Sequence, residues 1–267
     1  MSVDRGKRSV LGIGVSLIDY DAAVERITSA GRDRRPFSVS ALAVHGVMTG
    51  ALDPAHRYRL NRIDLVAPDG QPVRWALRLL YGEKLPDRVY GPVLTQKMCA
   101  AAAAAGLPVY LYGSTQEVVA TLATRLSERY PGLIVAGCEP SRFRQLTSSE
   151  NAELDARVRA SGAAIMLVGL GCPRQEVFAY EHAQAIGIPV LAVGAAFDFG
   201  AGRRQAPGWM QNAGLEWLFR LLQEPRRLWR RYLLLNPYYC VLLAAQKLGL
   251  LSRWFARERA PQPLNYG

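Results

Sequence analysis

The chain has 267 residues, 50% of them hydrophobic and 21% charged, which allows one sizeable core plus a smaller appendage and excludes a disordered or fibrous chain. The net charge is +11 and unevenly spread: from Ala201 onward there are eleven basic residues and only three acids. Such a segment suits an anionic partner (nucleic acid, an acidic lipid surface or a phosphorylated substrate), unless it is simply a solvated basic tail.

The first ten residues hold no apolar run before a cleavage site, so no signal peptide is expected. Short apolar runs then alternate with helical spacing. Strands are predicted over Val10–Val15, Phe37–Val44, Asp64–Val66, Val109–Tyr112, Leu133–Ala136, Ala164–Val168 and Val190–Val193. Helices are predicted over Asp21–Ala30, Val73–Leu80, Thr95–Ala105, Glu117–Tyr130, Glu150–Ala160 and Gln175–Ala185. This alternation implies βαβ units, hence a mostly parallel, Rossmann-like α/β sheet with helices on both faces, over residues 1–200.

After Phe199 no further strand is expected. Trp209–Leu222 and Arg226–Leu235 read as helices separated by Glu224-Pro225, and Tyr238–Leu251 is strongly apolar. Tyr232–Leu251 has the length of a membrane helix, but Asn236-Pro237 is expected to break it and Gln246-Lys247 to interrupt it. Residues 201–267 therefore read as a basic, amphipathic appendage, either interfacial or docked on the body and not spanning. Tyr232, Tyr238, Tyr239 and Trp254 suit headgroup level.

The four cysteines, Cys99, Cys138, Cys172 and Cys240, form no C-x-x-C pair and have no histidine at metal spacing, so neither a zinc site nor a disulfide framework is expected and a reducing cytoplasm fits. Ligands of open α/β sheets bind beyond the carboxyl ends of the strands, and three loops fall there. Ala67-Pro68-Asp69-Gly70 places a carboxylate where it could take a proton from a bound hydroxyl, or merely cap a helix. Gly169-Leu170-Gly171-Cys172-Pro173-Arg174 lets backbone approach a phosphate at a helix start; its third dinucleotide-fingerprint glycine is missing, which disfavours NAD. Gly113-Ser114-Thr115 is a further strand-to-helix turn suited to a nucleotide. Asp19-Tyr20-Asp21 matches the D-x-D pattern of metal-holding transferases, but Asp21 stands where a helix needs its N-cap. Arg220, Arg227, Arg230 and Arg231 would share one face of a near-continuous helix, presenting planar donors to phosphate oxygens.

Together these motifs resemble the WecG/TagA/CpsF family of glycosyltransferases. The resemblance rests on Ala67-Pro68-Asp69-Gly70, Arg88-Val89-Tyr90-Gly91, Gly169-Leu170-Gly171 with Pro173-Arg174-Gln175-Glu176, Phe197-Asp198-Phe199, Ala206-Pro207 with Trp209-Met210-Gln211, Gly214-Leu215-Glu216-Trp217, and Glu224-Pro225-Arg226-Arg227 through Arg231-Tyr232. It implies an inverting transferase that needs no metal or other cofactor and moves a sugar from a UDP-sugar to a polyprenyl-diphosphate-linked saccharide at the inner face of the membrane. By the same resemblance Asp69 is the general base, Gln175 and Ser40 are active-site polar residues, and Arg88, Gly91, Gly113, Ser114, Gly169 and Gly171 stand on the donor side. Arg220, Arg227, Arg230 and Arg231 then surround the acceptor diphosphate. Two positions depart from the family pattern: Ser40-Ala41-Leu42 where Thr-x-Asn is frequent, and Gln205 where arginine is. The expected partners are thus the two substrates and an anionic membrane surface, with no nucleic acid; a homo-oligomer is compatible with the sequence. The alternative reading is a non-catalytic scaffold that binds nucleotide or anionic lipid.

Overall fold

The computed structural model describes residues 2–251, 255 and 258–267; the side chains of Arg227 and Arg231 lie outside that description, as do Arg253, Trp254 and Arg257. The chain opens with an antiparallel hairpin of β1 (Asp4–Val10) and β2 (Ile13–Ile18). Sequence reading takes Val10–Val15 as one strand, but the turn falls inside it: Leu11 and Gly12 have φ of 51° and 82°, the left-handed pair of a two-residue hairpin turn.

Next come α1 (Tyr20–Arg32), β3 (Phe37–Leu42), α2 (Val44–Leu52), α3 (Pro54–Arg62), β4 (Leu65–Pro68), α4 (Gln71–Tyr81), α5 (Gly91–Ala105), β5 (Val109–Gly113), α6 (Gln116–Arg129), β6 (Val135–Glu139), α7 (Ser148–Ala160), β7 (Ile165–Gly169), α8 (Arg174–Ile186) and β8 (Pro189–Ala192). Strands β3 to β8 form one parallel sheet in the order β4-β3-β8-β7-β5-β6. It is the expected α/β sheet. Its inner strands read as unbroken apolar runs because helices cover both faces; Ile165, Met166, Leu167 and Val168 of β7 are all fully buried. One face packs on α1, α5 and α6, the other on α2, α3, α4, α7 and α8. Helices α2 and α3 are missed from sequence, since α2 follows β3 with only Ala43 between and prolongs its apolar run. The hairpin lies beside β4, with Ser16 Oγ accepting the Val66 N–H at 3.1 Å.

The remaining helices are α9 (Ala196–Gly200), α10 (Gly208–Asn212), α11 (Glu216–Gln223) and α12 (Pro225–Lys247). The expected helix over Trp209–Leu222 is thus two, separated at Gly214, whose φ is 70°. The expected break at Asn236-Pro237 does not occur: α12 runs through Pro237 for 23 residues. Proline in a helix interior forfeits one backbone bond, and packing outweighs that loss, because Leu228, Tyr239, Leu242 and Leu243 are buried, the last three in the apolar layer of α2 and α4. Gln246 is polar for a local reason as well. Its Oε1 accepts the Leu11 N–H at 2.8 Å and its Nε2 donates to Ser9 O at 2.9 Å, fastening α12 to the hairpin turn. Among the described residues no helix is long and apolar enough to cross a membrane.

Replacing Gln246 by Ala removes both bonds to the turn and is expected to cost about 1–2 kcal/mol in urea unfolding, whereas Lys247→Ala, one residue on, is expected to be neutral.

Candidate active site

Parallel pairing brings the strand ends to one level. Leu42 pairs with Pro68, Ser40 with Ala192, Val168 with Ala192, and Gly113 with Gly169. The loops leaving these ends form the floor of a cleft of about 1230 Å³, larger than the ~300–1,000 Å³ of an ordinary small-molecule site. One part of its wall is backbone and polar: Ser114, Gly169, Gly171, Arg174 and Gln175. Another is apolar: Trp75 and Leu79 from α4 with Leu235, Tyr239 and Leu243 from α12. Glu216, Trp217 and Arg220 of α11 overhang the space between them, and Asp69 lies on the floor.

Asp69 follows β4. Gly70, not Asp69, is the N-cap of α4, and that helix start receives no side-chain cap bond. The Asp69 carboxylate turns the other way and accepts the Gly91 N–H at 2.6 Å. The close approach depends on glycine, because a Cβ at position 91 would lie 3.1 Å from Val193 O and 3.3 Å from the Ala41 Cβ. Desolvation at the cleft floor raises the Asp69 pKa to about 6; the Gly91 N–H, Arg88 and Arg220 oppose the rise, and Glu216 adds to it. A carboxylate so placed is ionised at neutral pH yet basic enough to accept a proton.

Gln175 also reaches the cleft wall. Its Oε1 accepts the Gly171 N–H at 3.1 Å and its Nε2 donates to Glu176 Oε1 at 2.9 Å. Glu176 is fully buried, and desolvation pushes its carboxyl pKa up. Ser40 Oγ lies 3.5 Å from the same Glu176 oxygen and is fully buried, so it meets Glu176 and does not line the cleft. Gly194, with φ of 54°, passes the Gln175 amide where a Cβ would stand 3.0 Å from its oxygen.

Of the expected donor-side residues, Ser114, Gly169 and Gly171 line the cleft, whereas Arg88, Gly91 and Gly113 stand behind it. Gly113 packs on the Gly169 backbone, where a Cβ would come within 2.9 Å. The Arg88 guanidinium is buried against Glu216 in a short ion pair, donates to Gln211 Oε1 at 3.2 Å and lies 4.1 Å from the Tyr90 ring centroid. It therefore ties α10 and α11 to the Asp69 loop. The single arginine face is corrected too: the helix is interrupted at Glu224, so Arg220 points into the cleft while Arg230 is exposed and lies over Trp229. The side chains of Arg227 and Arg231 lie outside the described residues. Leu42, where an amide is frequent in the family pattern, puts an apolar side chain on the wall. In the Asp19-Tyr20-Asp21 motif the cap of α1 is Asp19, not Asp21: its two oxygens accept the N–H groups of Ala22 at 2.9 Å and Val3 at 2.7 Å.

Sequence reading missed His45 and Phe143 on the wall and gave Arg174 no role of its own. His45 lies in the first turn of α2, so the signal was a helix start hidden at a strand end; Phe143 comes from an irregular loop with no periodicity to read.

A cleft at the strand ends of a Rossmann-like sheet, with a basic carboxylate on its floor, fits many transferases. The decisive observation is a match of residues 8–253 to the glycosyl transferase WecG/TagA/CpsF family model. The chain belongs to the WecG/TagA/CpsF family of glycosyl transferases. On this chain the Asp69 loop, the Gln175 loop and the α11 residues Glu216 and Arg220 meet at one cleft.

Glu216→Ala leaves the buried Arg88 charge without its carboxylate. It is expected to destabilise the protein by about 3 kcal/mol, read by chemical denaturation, with a smaller loss in Glu216→Gln.

Proposed function

We propose that this glycosyl transferase moves a sugar from a UDP-sugar to a polyprenyl-diphosphate-linked saccharide in surface or extracellular polysaccharide synthesis, with inversion at the anomeric carbon. The observation that carries this reading is the two-sided cleft: Ser114, backbone and Arg174 beside the sheet, an apolar wall from α4 and α12, and Asp69 at the floor between them. A nucleoside diphosphate suits the first side and a prenyl chain the second.

In the reaction the acceptor hydroxyl gives its proton to the Asp69 carboxylate. Its oxygen bonds to the anomeric carbon, and the bond to the nucleoside diphosphate breaks with both electrons leaving on the diphosphate. That charge is met by Ser114, the strand-end backbone and the positive N-terminal end of α8. Arg220 on the overhang serves the acceptor diphosphate. With these groups in place the reaction needs no divalent metal, so activity is expected to survive EDTA. Burial by the α11 overhang limits donor hydrolysis.

The membrane reading draws on α12. Leu233, Leu234 and Val241 are exposed apolar side chains, and Trp229 stands between the exposed Arg226 and Arg230. A helix with such a face lies in the headgroup region, which would bring the cleft to a lipid-linked acceptor at the inner leaflet.

The test is product formation by mass spectrometry, with EDTA present, from UDP-sugars and a short-chain prenyl-diphosphate sugar. The acceptor is expected to gain the mass of one sugar. Asp69→Asn is expected to fold normally, keeping an oxygen for the Gly91 N–H, and to lose about 10²–10⁴ in rate. Because the base must be ionised, wild-type kcat/KM is expected to rise with pH and level off above about 6. Donor binding without any product would instead favour the scaffold reading.

A further inference from the structure

Residues 258–267 lie beyond the family-matched span and form no helix or regular strand, yet they are fastened along the body at successive points. Glu258 accepts from Arg62 at 3.0 Å. Gln262 O accepts from Arg59, itself buried, at 2.7 Å. The N–H groups of Leu264 and Asn265 donate to the two oxygens of Glu181 on α8, at 2.9 and 3.0 Å. Asn265 O accepts the Leu146 N–H at 2.7 Å, and Gly267 bonds to both Ser141 and Arg144.

Both elements held by this strap present a side chain to the same corner of the cleft. Helix α8 begins with Arg174, whose guanidinium lies 5.7 Å from the Tyr266 ring centroid. The 141–146 loop carries Phe143, which is 53% exposed at the cleft wall and held at φ of 54°, a strained value for a bulky residue. The strap reaches that residue through one hydroxyl: Ser141 Oγ accepts the Phe143 N–H at 2.9 Å and donates to Gly267 O at 2.8 Å. The Ser141 N–H in turn donates to the carbonyl of Ser114, which lines the same corner, at 3.0 Å. A cation, an open aromatic face and a hydroxyl converging at strand ends are the groups that recognise a nucleoside diphosphate.

We propose that the strap is a positioning element for the donor half of the cleft: Tyr266 holds Arg174 toward the donor diphosphate, and Gly267, through Ser141, holds Phe143 as a platform for the base. The inference rests on the UDP-sugar reading above. Tyr266 touches no substrate and acts through Arg174. Its removal therefore weakens donor binding and leaves the chemical step alone.

The experiment is calorimetric titration with UDP, together with donor KM and kcat, on the 267-residue wild type, Tyr266→Ala, Tyr266→Phe, Arg174→Ala and the Tyr266→Ala/Arg174→Ala double variant. Tyr266→Ala is expected to weaken UDP binding and raise donor KM by about three- to tenfold, with kcat changed less than about twofold. Tyr266→Phe, which keeps the ring, is expected to restore most of the affinity. In the Arg174→Ala background the Tyr266 substitution is expected to cost nothing further. Tyr266→Leu replaces Tyr266→Ala if the latter does not fold. Wild type that binds UDP alongside a folded Tyr266→Ala of equal affinity overturns the strap's role and leaves the donor reading standing. So does an equal loss in both Tyr266 variants confined to kcat and thermal stability. Wild type that fails to bind UDP overturns the donor reading and this inference with it.

Discussion

Arg88 and Glu216 hold together the two parts of the chain that make the cleft. Arg88 comes two residues before Tyr90, whose following residue, Gly91, donates to Asp69; Glu216 opens α11. Arg88 is buried and Glu216 half-buried, so separating them leaves the Arg88 charge desolvated and unpaired, a cost larger than most single contacts in a protein. The pair therefore fixes where the overhang of α11 stands over the Asp69 floor. Arg220 reaches the cleft one turn further along the same helix. Gln211 adds a neutral contact to Arg88 and donates to Ala206 O at 2.8 Å, which seats α10 in the same arrangement.

The same charges tune the carboxylate they surround. Burial alone would raise Asp69 further; Arg88, Arg220 and the Gly91 N–H pull it back, and Glu216 partly cancels Arg88. The result is a carboxylate that is charged at neutral pH yet, in the proposed reaction, basic enough to take a proton. Desolvation raises the pKa of a second carboxyl of the cleft, Glu176, as well. It is fully buried in the cleft wall, with Ser40 and Gln175 as hydrogen-bond neighbours. Two carboxyl groups of one cleft thus differ in their hydrogen-bond partners: a backbone N–H for Asp69, side chains for Glu176.

The sheet was legible from sequence because its strands are short apolar runs separated by helices of regular spacing, and Asp69, Gly169 and Gln175 were legible because strand ends are where such folds bind ligands. What sequence could not supply was the direction of side chains and the meeting of distant segments. Arg88 was expected at the donor, and only the fold shows that Glu216, 128 residues later, claims it. Ser40 was expected in the cleft, but the pleat turns it to the buried side, toward Glu176. The turn inside Val10–Val15 was hidden because Leu11, with positive φ, is as apolar and as buried as its neighbours. Pro237 read as a helix stop because local propensity says so, while the packing of Tyr239, Leu242 and Leu243 that overrides it is tertiary. The strap had no periodicity at all, and its role follows only from what it touches.

The claim on which the mechanism turns is a single displacement, with Asp69 opposite the departing diphosphate and no protein-bound sugar between donor and product. The anomeric configuration of the first-formed product, read by NMR from the one-bond carbon–hydrogen and vicinal couplings at the transferred sugar, tests it most directly. Inversion relative to the UDP-sugar is predicted. Retention would contradict the account, requiring either a second nucleophile in the cleft or a same-face mechanism in which Asp69 is not the base.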